Sequence, residues 1–318
     1  MIQSHPGNAR LRNRIGDDAA VWQPSRSHRS VITTDVLIEG RHFRRDTMTL
    51  RDIGWRAMAS NLSDLAAMSA RPVLATVALT VPETLGLEEI LELYEGMLAL
   101  AGRHRCVIAG GDTSLGETLS LAITAIGEAR PAHVKGRGGA RPGDVAAVTG
   151  RLGASRAGLL ISGDPGLVSG DLRDEALAAH RTPQPRIEEG RWLGASNYVR
   201  AMMDVSDGLS TDLTRMCAAS CCGATVSAAN VPVASSASAL AGLRGEAAVD
   251  FALAGGEDFE LLAAIDARAF NHLSNRFQKR FGRPLFAVGR FTEGSGLRLR
   301  NGEFEKPLEP LGYDHFTA

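Results

Sequence analysis

A set of acidic residues beside glycine or at the ends of apolar stretches is the part of this chain most suited to chemistry. They are Asp17, Asp18, Asp35, Asp64, Asp112, Asp204 and Asp207, together with Glu257 and Asp258. An ionised carboxylate in an apolar setting is costly unless it is paired or metal-bound, and the only lysines are Lys135, Lys279 and Lys306. Mg²⁺ takes oxygen ligands and bridges polyphosphates with one or two carboxylates per ion. The set therefore predicts a site for several Mg²⁺ ions and a polyphosphate.

Each acid taken alone also has a structural interpretation. Asp17 and Asp18 could form an ordinary turn after glycine, and Asp35 could cap the next segment. Asp207 could lie near the N-cap of the helix that follows it. Asp64 is harder to explain in this way, because its helix face carries small residues and no other charge. A small-residue face with one acid indicates close approach to another group.

Alternating strand and helix signals must position these acids, and they predict a mixed α/β architecture. Helical spacing indicates helices over residues 50–68, 84–101, 154–161, 187–195 and 209–219. Apolar and β-branched runs indicate strands over residues 31–34, 73–81, 106–109, 119–126, 145–149, 201–203 and 249–254. Gly-Gly-Asp and Gly-Gly-Glu-Asp then fall at strand ends, where ligands bind in α/β folds.

The length of 318 residues suits two domains better than one. Residues 130–143 are rich in proline, glycine and basic side chains, and this shift in composition marks a domain boundary. We therefore divide the chain into residues 1–136 and 137–318.

Charge and composition exclude several classes of partner. The net charge of −1 gives no field that would attract nucleic acid or an anionic membrane. The longest apolar runs have the length of strands and cannot span a bilayer. The 4 cysteines form no C-x-x-C pair, which indicates reduced thiols in a cytoplasmic protein. The polar, basic N-terminus lacks the apolar region of a secretory signal.

Several common catalytic motifs are absent from the sequence. It has no Walker-type phosphate-binding loop, no ordered strand–G-x-G-x-x-G–helix unit and no G-x-S-x-G elbow around Ser206. The protein-kinase motifs are missing, and the histidines lack zinc-type spacing. These absences argue against the corresponding classes of enzyme and nucleotide site.

The motifs together resemble the thiamine-monophosphate kinases, which belong to a superfamily with aminoimidazole-ribonucleotide synthetase and selenophosphate synthetase. The matching stretches are residues 15–20, 33–35, 61–68, 110–113, 141–144, 148–150, 204–209, 255–258 and 312–316. Residues 61–68 (Asn-Leu-Ser-Asp-Leu-Ala-Ala-Met) and 312–316 (Gly-Tyr-Asp-His-Phe) are the most specific to the thiamine branch. The resemblance departs at the N-terminus, where a short basic stretch precedes Gly16 in place of the family's longer helical segment.

This resemblance implies a fold and an assembly. The fold would be mixed α/β with two domains, like that of aminoimidazole-ribonucleotide synthetase. The N-terminal domain would bind ATP and Mg²⁺, and its sheet would form the interface of a homodimer. The C-terminal domain would be a second α/β unit.

The resemblance also implies roles for individual residues. Several Mg²⁺ ions would be held by Asp18, Thr33, Thr34, Asp35, Asp64, Asp112, Asp204 and Asp207. ATP would contact Tyr94, Gly111, Asp112, Arg137 and Ser206. Thiamine monophosphate would contact His42, Glu257 and Tyr313, with Tyr313 offering an aromatic face and Glu257 a negative charge to the cationic ring.

The implied reaction is direct, in-line transfer of the ATP γ-phosphoryl group to thiamine monophosphate. The acceptor phosphate has a second pKa of about 6, so it needs no strong general base, and we assign none. Two alternatives stay open. One is an ATP-dependent synthetase like the other superfamily members, although no reactive cysteine precedes Gly16 as in selenophosphate synthetases. The other is a nucleotide- or thiamine-binding module without catalysis.

Overall fold

The structure, a computed structural model, describes residues 10–12, 15 and 18–312. The strands are β1 (Leu11–Arg12), β2 (Val21–Trp22), β3 (Arg29–Ile38), β4 (Arg71–Val81), β5 (Val107–Leu115), β6 (Ser120–Ala129), β7 (Val145–Val148), β8 (Val199–Asp204), β9 (Gly223–Ser227), β10 (Leu261–Ile265), β11 (Phe286–Thr292), β12 (Leu297–Asn301) and β13 (Phe304–Pro307). The helices are α1 (Leu50–Ala67), α2 (Leu87–Arg103), α3 (Ala154–Gly163), α4 (Asp171–Arg181), α5 (Ile187–Gly194), α6 (Leu209–Ser220), α7 (Ser235–Arg244), α8 (Ala248–Leu253) and α9 (Phe270–Phe281).

The N-terminal half is built on a four-stranded sheet with the order β3-β6-β4-β5. β6 runs antiparallel to both of its neighbours, whereas β4 and β5 are parallel. One face of the sheet is covered by α1, against which α2 packs. The two helices approach closely at glycines: a Cβ on Gly54 would lie 1.9 Å from the Leu93 carbonyl oxygen. The other face keeps apolar side chains such as Ile32 and Val36 exposed.

Helix α1 lies between the two halves of the molecule and is buried along most of its length. Thr49 caps its N-terminus by accepting a hydrogen bond of 3.1 Å from the Asp52 amide. Leu62 and Leu65 share one continuous core with Met202 and Ile265 of the C-terminal half. The helix therefore fixes Asp64, near its C-terminal end, against both halves.

The C-terminal half contains a seven-stranded sheet with the order β13-β12-β9-β11-β7-β10-β8. Its strand pairs are antiparallel except for β12 and β9. One face joins the core around α1, and the other packs against α6. β8 ends at Asp204, and the turn that follows leads directly into α6.

Most predicted elements coincide with observed ones, but two differ. Residues 249–254 form the helix α8 and not a strand, so Gly-Gly-Glu-Asp follows a helix. A short apolar run has no periodicity that separates the two states, and here Phe251, Ala252 and Leu253 are all buried. The strand predicted at 106–109 continues through Gly-Gly-Asp to Leu115, because it pairs with β4 over its whole length.

The exact division of the chain between residues 136 and 137 stays a prediction. No helix among the described residues has the length and apolar character needed to cross a membrane.

Candidate active site

Four aspartates from separate parts of the chain are linked by electrostatic interactions, Asp35 with Asp64 and Asp207, and Asp64 with Asp204. We call Asp35, Asp64, Asp204 and Asp207 the acidic cluster. Asp35 lies on β3, Asp64 on α1, Asp204 at the end of β8 and Asp207 in the turn before α6. The interdomain position of α1 brings these elements together. The structure thus unites four of the residues predicted to bind metal.

Burial raises the pKa of three carboxylates of the acidic cluster, Asp35, Asp64 and Asp204. Burial raises the pKa of Asp35 to about 6, and the charges of Asp64 and Asp207 add to the rise. Burial and the charge of Asp64 raise the pKa of Asp204 well above its ordinary value. Burial also raises the pKa of Asp64, although Thr33 and the positive charge of Arg137 oppose the rise. The ionised forms of these three carboxylates are therefore disfavoured, mainly by burial and further by neighbouring acids.

Hydroxyl groups fix two of these carboxylates. Thr33 donates a hydrogen bond to Asp64, and Ser63 donates one of 2.7 Å to the buried Asp204. Ser63 precedes Asp64 on α1, so this helix carries one member of the acidic cluster and, through Ser63, holds a second. Ser63 lies within the motif at residues 61–68, but no role was predicted for it.

The turn after β8 is held in place by Asp212, which sequence reasoning missed. The amides of Ser206 and Asp207 each donate a hydrogen bond of 3.0 Å to its carboxylate. Arg215 forms ion pairs with both Asp207 and Asp212. Burial, followed by the charge of Asp207, raises the pKa of Asp212 to about 7. An acid in the first turn of a helix after an Asp-Gly turn was the signal that could have identified it.

Glu257 lies directly beside this turn. Its amide donates a hydrogen bond of 2.7 Å to the Ser206 carbonyl oxygen, and its carboxylate forms an ion pair with Arg56 of α1. A Cβ on Gly256 would lie 2.7 Å from the same carbonyl oxygen. Glycine is therefore needed for the two segments to approach, and the predicted residues Ser206 and Glu257 belong to the same site.

A second group of predicted residues lies at the opposite edge of the N-terminal sheet. Gly111 and Asp112 are on β5, and Tyr94 of α2 is hydrogen-bonded to Thr113 of the same strand. β3 and β5 are the two outer strands, which three strand spacings separate by about 14 Å. The structure therefore does not bring Asp112 to the acidic cluster within one chain.

The register of the sheet also places Asp112 and Asp35 on opposite faces. Asp112 is paired with Ala78, Ala78 with Ala122, and Ala122 with Val36. Directly paired residues project to one face of a sheet, and successive residues alternate. Asp112 thus shares the exposed face with Val36, whereas Asp35 points towards α1.

Asp18 belongs to this second group. It lines a pocket of about 620 Å³ together with Gly110, Gly111 and Trp22. The pocket lies on the exposed face of the sheet, next to β5. Asp18 and Gly111, predicted to bind metal and ATP, are therefore neighbours of each other and not of Asp64.

The remaining predicted residues have other positions. The Thr34 hydroxyl donates a hydrogen bond of 3.1 Å to the Ile123 carbonyl oxygen within the sheet. Thr34 thus faces away from the acidic cluster. His42 is half-buried after β3, and its Nδ1 accepts a hydrogen bond of 3.1 Å from the Ile38 amide. Tyr313 lies outside the described residues, as do Gly16 and Asp17.

The acidic cluster fits a hard divalent cation. Within residues 10–12, 15 and 18–312, no three His, Cys, Asp or Glu side chains are arranged to hold one metal ion among them. Mg²⁺ does not require three, since it is usually bound by one or two carboxylates together with substrate phosphates and water. Buried carboxylates that raise one another's pKa are the donors that such an ion would neutralise.

Two family models match the chain. The model described as AIR synthase related protein, N-terminal domain, matches residues 16–129, and the corresponding C-terminal domain model matches residues 141–300. These matches define the class of the protein as AIR synthase related. They also confirm the predicted mixed α/β fold with two domains.

Individual relatives narrow this class. A thiamine-monophosphate kinase of Synechococcus elongatus is 36% identical over 312 residues, which cover 95% of this chain and 91% of the relative. The crystal structure of thiamine-monophosphate kinase from Stenotrophomonas maltophilia K279a is 35% identical, with a TM-score of 0.83, and the match covers 92% of this chain and 91% of that one. A structure of AaThiL complexed with AMPPCP and TMP is 28% identical, with a TM-score of 0.80 and coverages of 92% and 89%. The chain belongs to the thiamine-monophosphate kinase family.

Proposed function

We propose that this protein transfers the γ-phosphoryl group of ATP to thiamine monophosphate, which yields thiamine diphosphate and ADP. The observation that carries the proposal is the acidic cluster of β3, α1, β8 and the turn before α6, which lies beside Glu257 through Ser206, in a chain of this family. The cluster suits the phosphate end of the reaction, and Glu257 suits the thiamine end. The related AaThiL was obtained in complex with AMPPCP and TMP together, which supports a fold that accommodates both.

The chemistry requires alignment more than proton transfer. An oxygen of the acceptor phosphate forms the new bond to the γ-phosphorus, and the bond from the γ-phosphorus to the β–γ bridging oxygen breaks, which releases ADP. The acceptor phosphate is largely dianionic at neutral pH because its second pKa is about 6. Its lone pair is therefore available without a general base. The barrier lies in bringing anions together in line.

The residues of the chain supply position and charge for this step. Arg137, whose charge is felt at Asp64, is suited to bind the transferring phosphates, since guanidinium groups match phosphate oxygens. The short turn at Ser206, fixed by Asp212, presents backbone and hydroxyl groups at the same place. Asp35, Asp64, Asp204 and Asp207 would hold Mg²⁺. When bound, Mg²⁺ neutralises the anionic phosphates of donor and acceptor.

We also propose that the protein acts as a homodimer through the exposed face of the N-terminal sheet. Ile32 is 66% exposed and Val36 is 46% exposed on this face, and contiguous exposed apolar groups mark interaction surfaces. The pocket lined by Asp18 and Gly111 opens on the same face, where Asp112 also lies. A second copy packed there would cover the apolar side chains and enclose this pocket, which is separate from the acidic cluster in a single chain.

A cytoplasmic location accords with the proposal, since all four cysteines are free and reducing compartments keep thiols in this state. Fractionation of cells followed by immunoblotting would test it, and recovery with a periplasmic or membrane marker would contradict it.

An assay of the purified protein with ATP, Mg²⁺ and thiamine monophosphate tests the main proposal, with thiamine products and ADP separated by chromatography. We expect thiamine diphosphate and ADP in equal amounts. ADP formation independent of thiamine monophosphate would instead indicate a synthetase-like ATPase, and binding of both ligands without turnover would indicate a binding module.

A further inference from the structure

A buried arginine on α1 connects the acidic cluster to the segment that carries Glu257. The Arg56 side chain is 3% exposed. Its Nη1 donates a hydrogen bond of 2.8 Å to the His180 carbonyl oxygen and lies 2.9 Å from His180 Nδ1. Its Nη2 donates to the Glu257 carboxylate. One guanidinium group thus joins the N-terminal half to two separate segments of the C-terminal half.

His180 is suited to be a permanent neutral acceptor for this guanidinium. It is buried in α4, and burial followed by the charges of Arg56 and Arg181 lowers its pKa to about 2. A neutral imidazole with its proton on Nε2 leaves Nδ1 free to accept from Arg56. The cation of Arg56 is therefore directed towards Glu257 as its one carboxylate partner among the contacts described.

Glu257 combines an unusual backbone conformation with a partly exposed side chain. Glu257 has a φ of +60°, a conformation that is uncommon for residues other than glycine. The side chain is 38% exposed, so part of the carboxylate faces the open side of the site. The ion pair with Arg56 is what fixes the direction of a side chain that would otherwise have several rotamers.

Arg56 lies on the same helix as Asp64 of the acidic cluster and as Ser63, which donates a hydrogen bond to Asp204. Asp64 and Ser63 follow it on α1 by roughly two turns, and Asp64 is about 12 Å further along the axis. A rigid helix therefore sets the spacing between the carboxylates at the phosphate end and the anchor of Glu257 at the other end. In-line transfer depends on such spacing, because small displacements of the acceptor cost large factors in rate.

We propose that Arg56 is a positioning residue that holds the Glu257 carboxylate in place for the thiamine moiety of the acceptor. This inference rests on the proposed function and assigns a role to a residue that no motif singled out. Arg56 acts through Glu257 and does not itself touch the reacting phosphates. Loss of the Arg56 side chain should therefore weaken binding of thiamine monophosphate and leave ATP binding nearly unchanged.

The test compares R56K, R56Q, E257Q and the double variant R56Q/E257Q. Lysine keeps the charge of Arg56 but has no planar fork, so it cannot serve His180 and Glu257 together in the same geometry. The KM values for thiamine monophosphate and for ATP are measured separately, and binding of thiamine monophosphate is measured by calorimetry without ATP. R186K is the matched control, because Arg186 is also paired with a glutamate of the C-terminal half, Glu260, through hydrogen bonds of 3.0 and 2.7 Å.

We expect R56K and R56Q to weaken binding of thiamine monophosphate by about 10- to 100-fold, the range for a hydrogen bond to a charged group. The KM for ATP should change by about 2-fold or less. R186K should lower thermal stability without altering either KM. Because Arg56 acts through Glu257, the double variant should be no more impaired than the weaker-binding single variant.

Folded R56K and R56Q that bind thiamine monophosphate within about 2-fold of the wild-type affinity would overturn the inference, as would losses that multiply in the double variant. If R56Q does not fold, R56K and E257Q decide the matter by the same criteria. A wild-type protein that makes no thiamine diphosphate would refute the proposed function. A wild-type protein that fails even to bind thiamine monophosphate would overturn both.

Discussion

The burial of Asp35 beside other acids has a measurable consequence for stability, and the substitution Asp35→Asn isolates it. The pKa of Asp35 rises from its ordinary 3.8 to about 6 in the folded protein. Between these values the folded state binds more protons than the unfolded state, so stability falls as the pH rises from about 4 to 6. The loss is fully present at pH 8 and corresponds to at most about 3 kcal/mol. Asparagine carries no charge and avoids this cost.

We therefore expect D35N to be more stable than the wild type by about 1–3 kcal/mol at pH 8 with EDTA, and of similar stability at pH 4. The lower end of the range allows for the weaker hydrogen bond from Ser60 to an amide. Urea unfolding at both pH values measures the difference. E303Q is a matched control, because Glu303 is an exposed acid in the turn between β12 and β13.

The same substitution should remove activity. A bound metal ion stabilises the transition state by several kcal/mol. Loss of a carboxylate that helps hold Mg²⁺ should therefore lower the rate of D35N by about 100-fold or more. Mg²⁺ with ATP should raise the unfolding free energy of the wild type more than that of D35N. A variant that is less stable than the wild type at pH 8 in EDTA, or one that keeps its activity, would refute this reasoning.

Two further predictions concern other parts of the molecule. The pKa of His180 is about 2 in the folded protein but near 6.5 in the unfolded chain, so the wild type should lose stability as the pH falls below 6.5. At pH 5 the loss of unfolding free energy, measured with urea, should exceed that of H180N by about 2 kcal/mol. Equal losses in the two proteins would contradict the assignment of a neutral His180. V36E should convert the expected dimer to a monomer in sedimentation or light scattering, whereas F304E, at an exposed apolar residue of β13, should remain dimeric; an unchanged dimer in V36E would place the interface elsewhere.

The sequence predicted the positions of two candidate metal ligands where local pattern was informative. Asp64 is an acid on a helix of small residues, and helical periodicity placed it correctly on α1. Asp204 ends an apolar strand, and the strand is where the pattern indicated. Both predictions depend on residues within a few positions of the acid.

Features that depend on long-range packing were beyond this reasoning. The separation of Asp112 from Asp35 follows from the strand order β3-β6-β4-β5, which no local pattern specifies. The pairing of Arg56 with Glu257 joins residues far apart in sequence, and an arginine within a helix has no distinguishing signal. The helix at residues 248–253 was misassigned because a short buried run is apolar on every side.

The proposed function rests on direct transfer of the γ-phosphoryl group to the phosphate of thiamine monophosphate. ATP labelled at the γ-phosphorus tests this step when the label is followed through the products with Mg²⁺ present. The label should appear in the terminal phosphate of thiamine diphosphate, in equal amount to ADP. Label recovered in inorganic phosphate alone, at a rate unaffected by thiamine monophosphate, would contradict it.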